Sequence, residues 1–127
     1  MEVRAGRMIS LEVGVADQAS GKEIASLMMG EPSPDPGSER PITDGAVLKY
    51  LRAFDVSETA GAMEPSVWVD FAIRYDDNAA ADPIAEWLMK TLKERGARLT
   101  LRLDTTEVPL EEGPITEMVR DKVKQSL

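Results

Sequence analysis

VWVDFAIRYDDNAAADPIAEWLMKTLKERGARLTLRL, residues 67 to 103, reads as strand, helix and strand in one uninterrupted pass. Val67, Val69, Phe71, Ile73 and Tyr75 alternate with Trp68, Asp70, Ala72 and Arg74, which is the period of a strand with one apolar face. Asp76-Asp77-Asn78 then favours a turn, and Asp82-Pro83 offers an N-cap acceptor followed by the residue best suited to the first helical position. Ile84, Trp87, Leu88 and Leu92 make a stripe that can lie on a sheet. Gly96 ends the helix, with Lys90, Lys93 and Arg95 suited to its negative terminus. Leu99, Leu101 and Leu103 alternate with Arg98, Thr100 and Arg102 as a second strand. If the two strands share a sheet and run parallel, their crossover is right-handed.

Working outward toward the N-terminus, Ile9, Leu11, Val13 and Val15 predict a strand, with the residues before Arg7 free to fray. Ser20-Gly21-Lys22-Glu23 has the capping-box pattern of a short helix that continues through Ile24, Leu27 and Met28 and stops at Gly30. Residues 31–43 contain Pro32, Pro34, Pro36, Gly37 and Pro41 and read as a long mobile loop. Thr43 or Asp44 caps a predicted helix whose buried side is Val47, Leu48, Leu51 and Phe54. Asp55 to Ser66 reads as a connector in which Met63 packs inward. Toward the C-terminus, Glu107-Val108-Pro109-Leu110 predicts a short strand antiparallel to its predecessor, placed at an edge by Pro109. A last helix starts at Glu111-Glu112-Gly113-Pro114 and turns Ile115, Met118, Val119 and Val123 inward. The expectation is an α/β (α+β) single-domain sandwich over residues 1–127, in the order β-α-α-β-α-β-β-α, with a mixed sheet of about four strands packed by helices.

The 127 residues include no Cys and no His, which removes disulfides, thiolate chemistry, the commonest general base and the commonest metal ligand. A net charge of −8 argues against direct nucleic-acid or anionic-membrane binding. No apolar run reaches the length of a membrane span, so the sequence predicts a soluble, cytoplasmic protein without a cofactor. Charge is uneven, with −9 over residues 1–89 and +1 over 90–127. Lys90, Lys93, Arg95, Arg98 and Arg102 face only Glu94 in their stretch, and they read either as a solvated face or as a docking patch for an acidic partner.

Two further motifs bear on chemistry. Ala16 to Glu23 approaches the phosphate-binding P-loop spacing, but Glu23 stands where Ser or Thr would ligate magnesium. Asp17, Asp76, Asp77 and Asp104 each follow a predicted strand, and if those strands are parallel the four acids share one sheet edge that suits Mg²⁺. The plainer reading of these aspartates is turns and caps. Trp87 belongs to the helix stripe and reads as core. Trp68 is either covered by a further helix or exposed as an interface anchor.

Trp87-Leu88, Leu92-Lys93, Arg95, Leu99-Thr100-Leu101 and Glu107-Val108-Pro109-Leu110 together resemble small bacterial domains of the effector-associated constant component type, over residues 67–110. The resemblance implies a non-enzymatic adaptor joined to, or encoded near, effectors of bacterial conflict systems. The chain departs from that pattern in its Pro-rich insertion, its extra C-terminal helix and the lack of an effector segment in these residues, so no family site residue carries over. The favoured expectation is a non-catalytic protein-interaction or adaptor module, with oligomerisation open. One alternative is a Mg²⁺-dependent hydrolase or phosphoryl-transfer enzyme using the acidic strand ends. Another is an acidic regulator of a basic or DNA-binding partner.

Overall fold

The computed structural model describes residues 7–55, 66–93 and 99–125. Within them the chain runs β1 (Met8–Val15), α1 (Gln18–Met29), β2 (Glu39–Thr43), β3 (Ala46–Asp55), β4 (Val67–Tyr75), α2 (Ala81–Leu92), β5 (Thr100–Leu103), β6 (Thr106–Val108) and α3 (Glu112–Gln125), with a turn of 3-10 helix over Asn78–Ala80 before α2. Gly96, the cations Arg95 and Arg98, Met63 and the stretch 56–65 lie outside the described residues, as do the residues before Arg7.

Six strands form one sheet in the order β2-β3-β4-β1-β5-β6, and every neighbouring pair is antiparallel. The α+β class and the strand–helix–strand unit over 67–103 stand, while the strand count, the mixed sheet and the element order are corrected. β4 and β5 do run in the same direction, but β1 lies between them, antiparallel to both. Likewise β1 and β3 run parallel with β4 between them. The path β1-α1-β3-β4-α2-β5 is therefore two interlocked split β-α-β units, the ferredoxin-like connectivity. β2 extends the sheet at one edge, and β6 with α3 extends it at the other.

The predicted second helix is a hairpin. Asp44-Gly45, read from sequence as part of a helix start, is the turn between β2 and β3, with Gly45 at φ 82; Asp-Gly between two runs is a strong hairpin signal. β2 in turn claims residues 39–43 from the expected mobile loop, and Pro41 is tolerated because β2 is an edge strand.

Ile9, Leu11 and Val13 on β1, Leu48 on β3, Val69, Phe71 and Ile73 on β4, and Leu103 on β5 are fully buried on one face of the sheet. The same core contains Ile24 and Met28 of α1, Ile84, Leu88 and Leu92 of α2, and Ile115, Val119 and Val123 of α3. All three helices thus cover one face, and the expected stripes of α2 and α3 point inward, although Trp87 is only half-buried at the margin. The Tyr75 hydroxyl ties β4 to α3 by donating to the Val123 carbonyl at 3.1 Å. Among the described residues no helix lies on the other face.

Two N-caps differ from expectation. α1 begins at Gln18, capped by Asp17, whose Oδ1 accepts from the Ser20 backbone N–H at 2.8 Å. Gly21-Lys22 consequently sits inside the helix, and neither the capping box nor a P-loop forms. α2 begins at Ala81 without a side-chain cap. Asp82 instead accepts two hydrogen bonds from Arg120 of α3, at 2.7 and 3.0 Å, and that guanidinium holds its carboxyl below the ordinary range.

At the β5–β6 turn, Asp104 and Thr105 have φ of 48° and 68°, the paired positive values of a type I′ hairpin. A branched residue there is strained, since a left-handed conformation costs an L-residue about 1–2 kcal/mol. Thr105→Gly is expected to raise stability by about 0.5–1 kcal/mol, the relief being partly offset by glycine's greater unfolded-state entropy. Urea unfolding measures it.

Candidate docking site on the open sheet face

The antiparallel sheet sorts the predicted acids into two groups. Asp17 follows β1 at one end of the sheet, whereas Asp76 and Asp77 follow β4 and Asp104 follows β5 at the other. The expected shared acidic edge is therefore split, because it required β1 to run parallel to β4 and β5. The carboxylates of Asp17, Asp77 and Asp104 each accept a backbone N–H. Asp17 caps α1, and the Ser20 backbone N–H, followed by its hydroxyl, holds the carboxyl below the ordinary range. Asp77 Oδ1 accepts from the Ala79 N–H at 2.9 Å, and Asp104 Oδ1 accepts from the Ser10 N–H at 2.8 Å. The Asp76 carbonyl accepts from Arg7. Among the described residues no group of three acids is placed to hold a metal ion.

The basic residues are also separated. Lys90 and Lys93 are exposed at the end of α2 on the helical side. Arg102 alternates with the buried Leu101 and Leu103 and so projects from the opposite, open face. These three do not form one patch, and Arg95 and Arg98 lie outside the described residues.

What the sheet assembles on its open face is a transverse row at the strand centres. Arg52 of β3 is in register with Asp70 of β4, Asp70 with Glu12 of β1, Glu12 with Arg102 of β5, and Arg102 with Glu107 of β6. Arg52 Nε donates to Asp70 Oδ2 at 3.2 Å, and Arg102 Nε to Glu12 Oε1 at 3.1 Å. The row is bounded by aromatic rings. Arg102 Cζ lies 4.0 Å from the Trp68 ring centroid and Arg52 Cζ 4.7 Å from that of Phe54, both within the range of cation–π attraction. Trp68 and Phe54 are themselves cross-strand partners. On the other side of Trp68 stands Gly14, which carries no side chain, so the indole and Arg102 meet across β1. Trp68 is half-buried, and no helix among the described residues covers it.

Electrostatically the row places two carboxylates side by side, Asp70 and Glu12, with an arginine on each flank. The Asp70 side chain is 14% exposed. Its Oδ1 has no hydrogen-bond partner. Desolvation, reinforced by Glu12, raises its pKa, while Arg52 and Arg102 partly offset the rise. Because the folded protein holds this proton more tightly than the unfolded chain, ionising Asp70 costs stability as the pH rises above the ordinary carboxylate value of about 3.9. That cost is fully present at neutral pH. Asp70→Asn is therefore expected to stabilise the fold at pH 7 by about 0.5 kcal/mol, the size of a relieved like-charge cross-strand pair. The lost bond to the exposed Arg52 is worth little. As the pH falls toward about 4 the advantage over wild type shrinks; urea titrations at the two pH values check it.

Sequence reading had Trp68 on the face opposite the core but missed its arginine, because Arg102 comes from a strand two positions away in the sheet. The available signal was the placement of Glu12, Asp70 and Arg102, each at the polar centre of an otherwise apolar alternation. No protein-family model, no curated protein and no solved structure gives a match to the chain.

Proposed function

We propose that the chain is a protein-interaction module whose partner docks on the open sheet face, over the Trp68–Arg102 and Phe54–Arg52 stacks and the carboxylates between them. The observation that carries this reading is the transverse row itself. A row of paired charges with a half-buried aromatic at its margin, on a sheet face that no helix of the described residues covers, has the make-up of an interaction hot spot: Trp and Arg anchors, ordered in advance by their own contacts. Nucleic acid fits this face poorly, because Arg52, Arg74 and Arg102 are paired with Asp70, Glu39 and Glu12 and leave little net positive charge to meet phosphates. The likeness of residues 67–110 to effector-associated constant components supplies the setting, that of an adaptor in a bacterial system.

Photo-crosslinking tests the reading. A photoreactive residue is placed at Met8 or Arg74 on the open face, and in a parallel set at Lys90 or Lys93 on the helical side. Adducts are expected from the open face, and Trp68→Ala is expected to weaken binding of the captured partner by about tenfold or more. Adducts confined to Lys90 and Lys93 would overturn the proposal in favour of the basic helix end.

A further inference from the structure

A cavity of about 410 Å³ opens at the side of the sandwich, between the first turns of α1, Ser33 and Pro34, and the ends of β3 and β4. It belongs to neither the open face nor the helix layer's core, and its size is within the range of small-molecule sites. We propose that it binds a small amphipathic monocarboxylate, with Lys22 as counter-charge and the Tyr50 hydroxyl as hydrogen-bond donor.

The walls define this chemistry. Gly21 brings α1 close onto the sheet, since a Cβ at that position would stand 3.0 Å from Val67 Cγ1. The floor beside this contact is apolar, formed by Ala25, Ala53 and Val67, and suits a short hydrocarbon body. Among the described lining residues Lys22 carries the charge. It projects from the first half of α1, whose N-terminal end is already met by the Asp17 carboxylate, so the ammonium is the group that favours an anion there. That local sign stands out in a protein of net charge −8.

Tyr50 supplies the second recognition element. It is 8% exposed, its ring packs on Phe71 at a centroid distance of 5.7 Å, and burial raises its phenol pKa. The phenol therefore remains a neutral donor at physiological pH. Tyr50 lines the cavity, and a tyrosine joins an apolar ring to a hydroxyl that can donate a hydrogen bond. A single ammonium and a single phenol match one negative charge and its two oxygens. A polyphosphate would bring more charge than the walls can meet.

Octanoate is the probe, with octanol as its uncharged twin. Titration into the labelled protein is expected to give saturable amide shifts at Gly21, Lys22 and Ser33 and a raised thermal midpoint. Octanol is expected to bind about tenfold more weakly, the value of a charge-assisted bond. Lys22→Gln, at an exposed position, is expected to erase the difference between the two probes, and Tyr50→Phe, which keeps the ring packing, to weaken octanoate alone. Equal binding of octanol and octanoate, shifts centred on Trp68 and Gly14, or no saturable shift at all would each overturn the proposal. None of these outcomes bears on docking at the open face.

Discussion

Leu48→Ala is expected to destabilise the protein by about 2–5 kcal/mol, while Leu51→Ala, three residues away, changes stability by no more than about 0.5 kcal/mol. Leu48 is completely buried, in register with Ile73 of β4. Truncating it leaves a cavity between sheet and helices that the packed β-strands cannot collapse to fill. Leu51 is 40% exposed and falls at the irregularity between Tyr50 and Arg52, where β3 carries one residue more than β4 opposite it. With domain stabilities of about 5–15 kcal/mol, the first variant loses a large fraction of its stability and the second is close to wild type. A helix over residues 44–54 would bury both leucines on one side and predict comparable losses. Urea unfolding of the two variants, followed by circular dichroism, decides between these results.

That irregularity also explains why this segment was misread from sequence. Val47, Leu48, Leu51 and Phe54 are spaced three and four apart, which is the helical signature. In the strand the extra residue shifts the alternation after Tyr50, so Ala46, Leu48 and Tyr50 face the core and the next core-facing register position is Ala53. A bulge converts a period of two into a local step of three. Asp44-Gly45 carried the correcting signal, because an Asp-Gly pair between two apolar runs favours a hairpin. β1, β4, α2 and α3 were legible because each has a single unbroken period along its own length.

The site was less legible than the fold for a different reason. Whether Asp17 joins Asp76 and Asp104 depends on the relative direction of β1, β4 and β5, and alternation within a strand carries no information on direction. The transverse row depends on register across five strands, which is set by apolar residues on the opposite face. Leu11 opposite Phe71 and Leu103 places Glu12 beside Asp70 and Arg102, because a slip of one residue would expose the whole apolar set. The core thus selects the neighbours on the docking face.

A second large effect is expected at the end of α1, where Gly30→Ala should cost about 2–3 kcal/mol. Gly30 occupies the left-handed position that closes the helix, at φ 72, and its N–H donates to the Ser26 carbonyl at 2.8 Å. A side chain there incurs the left-handed penalty of about 1–2 kcal/mol. It would also stand 3.0 Å from Cζ of Arg40. That guanidinium is not free to swing away at no cost, because its NH1 donates to the Met28 carbonyl at 2.7 Å. It serves one of the last carbonyls of the helix, which lack intrahelical partners, and puts a cation at the helix's negative end. Arg40 is on β2, so the contact also fixes the hairpin and the start of residues 31–38 against α1. Gly37→Ala provides the comparison, since φ there is 94 but nothing lies within 4 Å of the added carbon, so backbone strain alone applies. The two substitutions should therefore differ by about 1 kcal/mol, the worth of a displaced hydrogen bond. In an Arg40→Ala background the difference should disappear, because no guanidinium remains to be displaced. A double-mutant cycle on Gly30 and Arg40 reads this coupling directly, and a cycle that closes to zero would mean that Gly30 is required by its backbone conformation alone.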